Sequence, residues 1–305
     1  MKSSTNIDKG RPAWLDETGD LPVPMTNDYM FKAVCQEDNF ALKSLICAVL
    51  HKDEEEVKSA IVGNPILLGK AIDEKEYILD AKVELNDNML LDLELQVLND
   101  HDWPERSLHY LCRIFDSLHR GENYKDSKAA MHIGILDFKL HEDSPLLESY
   151  LLMDKLNHRV YTEKFQIHIM TLKEADKPGS EDVRFHTNVW AKYFAARTWE
   201  DLKMLAQKDK GVASAITTAH RLWQEDEIKA RAIAREDFIN TQKAREARWA
   251  EAEREKAEAE RAQAEAERAK AEAERAKTEA EKRAAAAEAE AARLQEELRK
   301  YKSQP

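Results

Sequence analysis

The chain has 305 residues, 35% of them charged and 43% apolar, with only 8 Gly and 8 Pro. This is a soluble composition rather than a collagenous or membrane-embedded one. The longest apolar stretch, around Ala41–Leu50, is broken by Lys43 and Ser44 and falls far short of the roughly 20 residues a bilayer span needs. The net charge of −12 is unevenly placed: residues 241–305 hold 16 basic and 16 acidic residues, so the imbalance lies in residues 1–240, with 31 basic against 43 acidic. That argues against a passive nucleic-acid binder, which needs surplus cations, but not against an enzyme that bridges its carboxylates to a polyanion through a divalent ion.

Residues 1–24 carry Gly10, Pro12, Gly19, Pro22 and Pro24 and read as a poorly ordered opening arm. Met1–Gly10 holds no apolar stretch of signal-peptide type. Cys35, Cys47 and Cys112 are widely spaced and form no C-x-x-C pair. This argues against a disulfide framework or a cysteine zinc site and points to the reducing cytoplasm.

From Thr26 to about Thr198 helical and strand patterns mix. Tyr77–Leu85 and Leu90–Leu98 alternate with period two. Leu79, Ala81, Val83 and Leu85 share one face of the first, with Asp80, Lys82 and Glu84 opposite. In the second, Leu91, Leu93, Leu95 and Val97 oppose Asp92, Glu94 and Gln96. Asn86–Met89 supplies turn chemistry between them, so the pair reads as a hairpin with one apolar and one carboxylate-rich face. Its register must pair residues of even sum, such as Asp80 with Glu94, or the carboxylates change sides. The bland reading leaves the acidic face in water. The sharper reading has the crowded carboxylates hold a cation, since Mg²⁺ takes one or two carboxylates with water and phosphate completing its shell.

Other patterns carry less. Gly63–Lys70 (GNPILLGK) mimics a phosphate loop but has five residues between its glycines, and Ala71 stands where Ser or Thr is required. The ten His are scattered without ligand spacing. Arg106, Tyr110 and Arg113 align on one side of a helix, where they could meet phosphates or pair with the abundant acids. Trp190, Phe194 and Trp199 read as core. From about Gln224 the chain is almost pure Ala, Glu, Arg and Lys, with five near-copies of AEAERAK between Ala250 and Ala284. Pairs such as Arg254–Glu258, Arg261–Glu265, Arg268–Glu272 and Arg275–Glu279 favour a continuous helix at about 0.2–0.5 kcal/mol each. Alanines spaced by three and four form a thin seam, ending near Leu294, Leu298 and Tyr301. A solitary charged helix and a weak coiled coil both remain open.

The run EKEYILDAKVELNDNMLLDLELQ (Glu74–Gln96) resembles the core hairpin of the PD-(D/E)XK nuclease superfamily. More closely, it is similar to that of the Rpn family of recombination-promoting nucleases, also described as transposases. NDYMFKAV (Asn27–Val34) with LICAVL (Leu45–Leu50) resembles that family's opening helix. ERSLHYLCRIFDSL (Glu105–Leu118) with GENYKD (Gly121–Asp126) resembles its Arg-x-x-x-Tyr helix and following turn. HIGILDF (His132–Phe138) resembles the next strand. The likeness covers about Met25 to Leu172.

The resemblance implies an α/β fold with a restriction-endonuclease-like core and a long charged C-terminal helix. It implies a metal-dependent DNA endonuclease using Mg²⁺, with Mn²⁺ as a substitute, linked to recombination or transposition and acting as a homodimer. Asp80 and Glu94 would be the metal ligands. Gln96, where the superfamily pattern has lysine, would position water, although an amide can neither carry positive charge nor take a proton. Lys82 and Glu37 are accessory candidates, and Arg106, Tyr110 and Arg113 are candidates for DNA contact. For Lys82 a salt bridge to Asp92 or Glu94, and for Glu37 a plain surface role, stand as the competing readings. The expected layout is an arm over 1–24, a nuclease-like domain over 25–198, a helical connector over 199–245 and the long helix over 246–302. A scaffold or DNA-binding protein that keeps the fold without turnover, using the tail to oligomerise, is the alternative.

Overall fold

The computed structural model describes residues 11–62, 81–86, 89–116 and 123–302. Asp80, the Gly63–Lys70 stretch, the 117–122 segment and the side chains of Lys82 and Tyr301 lie outside the described residues.

Asn27 starts the first helix. Its side-chain oxygen accepts from the Met30 amide at 3.1 Å and caps α1 (Asp28–Glu37). Its amide donates to the Ala232 carbonyl at 2.9 Å. Asp38 then caps α2 (Asn39–Leu50) by accepting from the Ala41 amide at 2.9 Å. NDYMFKAV and LICAVL therefore belong to two helices rather than one, because Asp38 satisfies the orphan N–H groups of a second N-terminus.

The strands are β1 (Ala60–Val62), β2 (Ala81–Leu85), β3 (Met89–Gln96), β4 (Ala129–Leu136), β5 (Leu147–Met153) and β6 (Val160–Thr171), and α3 (Trp103–Phe115) connects β3 to β4. They form one six-stranded sheet in the order β1-β2-β3-β4-β6-β5. The β3–β4 and β4–β6 pairs are parallel, and the remaining pairs are antiparallel. Lys82 pairs with Asp92 and Ala81 with Leu93, the even-sum register that keeps the acidic residues of both strands on one side. Asn86, at φ 52, turns the chain, and its side chain accepts from the Lys58 amide at 2.7 Å and donates to the Glu56 carbonyl at 2.8 Å.

Helices α4 (Ser180–Arg184), α5 (Thr187–Ala195), α6 (Trp199–Ala206) and α7 (Lys210–Trp223) follow, then α8 (Asp226–Lys302). Leu91, Leu93, Leu95, Ile133 and Ile135 bury one face of the sheet in the main core, with side chains of α1, α2, α5 and α7 and with Trp190, Phe194 and Trp199. On the other face Trp103, Leu111 and Ile114 of α3 cover Ala130, Leu136 and Ile169. Every residue of β3 after Met89 is consequently buried. The hairpin's polar face is not in water, because the helix of a parallel crossover must pack back on the sheet it connects. No helix among the described residues is long and apolar enough to cross a membrane.

The chain divides into two compact units, one reaching Gln242 and the other beginning at Lys243. In the first, Arg235 clasps Asp28 through Nε at 2.8 Å and Nη2 at 2.6 Å, tying the start of α8 to α1. In the second, every residue of α8 whose side chain is described is exposed, Leu294 and Leu298 included. The Arg254, Arg261, Arg268 and Arg275 pairs expected with glutamates four residues on are not among the ion pairs formed by the described residues. Arg283 instead meets Glu279 at 2.6 Å. There the acid precedes the base, the better orientation for a helix pair.

Candidate metal centre

The crossover brings the chemistry together. The parallel register sets Asp92 beside His132 and Glu94 beside Gly134. Asp92 and Glu94, two residues apart on β3, point to the α3 side of the sheet, and so does His132. Their exposures are 1%, 3% and 0%. His132 Nδ1 lies 2.8 Å from Asp92 Oδ2, and His132 Nε2 lies 3.9 Å from Glu94 Oε2. Arg106, one turn into α3, donates through Nε to Glu94 Oε1 at 2.6 Å. Its guanidinium also lies over the Tyr110 ring, 5.5 Å from the centroid.

Two aromatic rings hold the imidazole. Tyr110 stacks on His132 at 6.0 Å and 8°, and Trp103 leans on it at 5.3 Å and 37°. Trp103 fits because residue 134 is glycine, since a Cβ there would lie 2.1 Å from Cζ2 of the indole. A proline in the first turn of α3 suits this docking, since its missing N–H is one the helix leaves unpaired anyway.

Among the described residues, two buried carboxylates thus face one guanidinium and one imidazole. Buried charge needs pairing, and two carboxylates lie side by side here. Asp92 Oδ1 and His132 Nε2 are buried without a hydrogen-bond partner. One ligand atom from each of Asp92, Glu94 and His132 fits within a 4.8 Å span. The donor set of two carboxylates and one imidazole suits a divalent ion.

The remaining expected residues are placed as follows. Gln96, 8% exposed, donates its amide to the Leu98 carbonyl at 3.0 Å. Lys82 is the backbone partner of Asp92. Glu37 is exposed at the end of α1 and meets Arg221 Nη2 at 3.1 Å, so its carboxylate serves a helix–helix contact. Arg106 pairs with an acid, Tyr110 is buried and packs on His132, and only Arg113 of the three is exposed. The alignment of these three on one face of α3 therefore does not make a single phosphate-facing row. Tyr110 in particular offers its ring to the imidazole, not to solvent.

His132 was not legible as a site residue from ligand spacing. It stands 40 residues from Asp92, and only the β3–α3–β4 crossover joins them. The available signal was local: in HIGILDF a histidine and a glycine share one face of an otherwise apolar strand.

The family described as PD-(D/E)XK nuclease family transposase matches residues 25–246, well over half of the chain, and the chain belongs to it. No curated protein and no solved structure matches the chain.

Proposed function

We propose that this PD-(D/E)XK nuclease family transposase is a Mg²⁺-dependent DNA endonuclease, with Mn²⁺ as a substitute, working as a homodimer in the cytoplasm in recombination or transposition. The observation that carries the reading is that one ligand atom from each of the buried residues Asp92, Glu94 and His132 fits within a 4.8 Å span, in a chain of nuclease family. We assign Asp80 and Glu94 as the ion's acidic ligands, with Gln96 positioning water and Lys82 as an accessory cation. A divalent ion at such a site lowers the pKa of water and offsets charge on phosphoryl oxygens.

The protein's own part is to hold and orient. Arg106 fixes Glu94 Oε1. The Gln96 carbonyl Oε1 has no hydrogen-bond partner among the described residues and can accept a hydrogen bond from water, while its amide is anchored on Leu98. We assign Arg113, exposed on α3, to contact a phosphate. Hydrolysis adds the water oxygen to phosphorus, breaks one P–O ester bond and leaves a hydroxyl on the departing strand end. We assign 25–198 to the nuclease domain, 199–245 to a connector and 246–302 to the oligomerising helix.

The scaffold reading draws on two contacts: Glu94 is already paired with Arg106, and the Gln96 amide is already bonded to the Leu98 carbonyl. Plasmid nicking separates the two. With Mg²⁺ or Mn²⁺ the wild type is expected to nick supercoiled DNA, EDTA to stop it, and Asp80→Ala and Glu94→Ala each to abolish it while circular dichroism stays native. Wild-type protein that neither cuts nor gains thermal stability from either ion is the scaffold.

A further inference from the structure

His132 differs from its surroundings in one respect that the acidic residues do not explain. Its ring is fully buried and packs against both Tyr110 and Trp103. Nδ1 is committed to Asp92 Oδ2 at 2.8 Å. A proton donated from Nδ1 to that carboxylate leaves the lone pair on Nε2, the arrangement that orients metal-bound histidines. Nε2 has no hydrogen-bond partner among the described residues and faces Glu94 Oε2 at 3.9 Å. That is too far for a hydrogen bond but within the span of two ligands that each sit about 2.1 Å from one ion. Arg106 occupies the other oxygen of Glu94, so Oε2 is the one turned toward the imidazole.

We propose that His132 Nε2 is a nitrogen ligand of the ion held by Glu94, oriented by Asp92, and that the centre therefore prefers a first-row transition ion over Mg²⁺. Mg²⁺ takes oxygen ligands and keeps its waters, whereas imidazole favours the later members of the divalent series. The inference rests on the metal-centre reading above; it keeps Glu94 as a ligand, adds a nitrogen, and puts transition ions ahead of Mg²⁺ in binding strength, leaving Mg²⁺ as the ion that serves turnover by its abundance. Asp92 is a positioning residue: it acts through the imidazole.

The test uses the full chain and Mn²⁺ as the probe. Calorimetric titration is expected to show Mn²⁺ binding at least about tenfold tighter than Mg²⁺. Pulsed electron paramagnetic resonance of the Mn²⁺ protein is expected to show modulation from a directly bound ¹⁴N. His132→Gln should remove that modulation and weaken Mn²⁺ about 10–100-fold. Asp92→Asn, which keeps an acceptor for Nδ1 but not the charge, should retain the modulation with weaker binding. The wild-type spectrum decides the matter even where a variant fails to fold. Mn²⁺ bound without nitrogen coupling overturns this proposal and leaves an all-oxygen centre standing. Coupling that survives in a folded His132→Gln protein also overturns it. Absence of any Mn²⁺ or Mg²⁺ binding overturns both readings. Nitrogen coupling in a protein that does not cut DNA upholds the ligand assignment and sinks the nuclease.

Discussion

Arg106 is the residue on which the electrostatics of the site turn. It is about a third exposed, yet it holds a carboxylate that is almost wholly buried. Replacing one partner of such a pair leaves the other charge uncompensated; with allowance for solvent around the guanidinium, the cost is about 1–3 kcal/mol. Arg106→Gln is thus expected to melt lower than the wild type without added ion and to gain more from Mn²⁺. Thermal melts with EDTA and with Mn²⁺ check both. A second residue-scale effect lies on the opposite face of the sheet. His168 is pushed down to about 4, first by burial and then by the nearby charge of His51. Ser149 Oγ lies 2.9 Å from its Nδ1 and Gln166 Oε1 3.1 Å from its Nε2, which suits the neutral ring. Its folded pKa lies below the unfolded value of 6.5, so the unfolded chain binds the proton first. Its contribution is whole above pH 6.5 and is lost as pH falls toward 4, by up to about 3 kcal/mol. Urea midpoints at pH 7 and pH 4.5 should fall less far apart in His168→Gln than in the wild type. Equal separations would mean that His168 titrates normally.

At the scale of elements, the site depends on how closely α3 lies on β4. Gly134 and Trp103 set that distance. In a strand, alanine would ordinarily be the better residue, so the prediction runs against propensity. Gly134→Ala should destabilise the fold by about 1–3 kcal/mol through overpacking. By lifting α3, it should also weaken the hold of Arg106 on Glu94. Chemical denaturation gives the first effect, and Mn²⁺ titration of the folded fraction the second. A stabilised variant would show that the helix can shift without cost. The hairpin follows simpler rules. Its period-two pattern settled which residues share a side, and the observed pairing of Lys82 with Asp92 follows that pattern. Which side is buried was a different matter, because the pattern cannot tell solvent from a helix laid across the polar face.

For the whole molecule, composition carried the division between a mixed α/β part and an Ala/Glu/Lys/Arg helix, and the chain separates between Gln242 and Lys243. An alanine seam buries little area, so the proposed dimer should draw most of its strength from Leu294 and Leu298, both more than half exposed in the single chain. Sedimentation equilibrium should find dimers of the full chain and monomers when Leu294→Glu and Leu298→Glu are combined; dimers that persist would place the interface elsewhere. By itself the sequence determined the strand pattern, the hairpin register, the helical tail and the family likeness of Glu74–Gln96, because each is written in neighbours a few residues apart. Glu94 was singled out on the same grounds. Only the tertiary structure decided that Asp92 and Glu94 are buried, that Tyr110 packs inward and that His132 joins them. Those facts depend on a parallel crossover that brings residues 40 positions apart side by side, and local periodicity holds no record of which strand becomes whose neighbour.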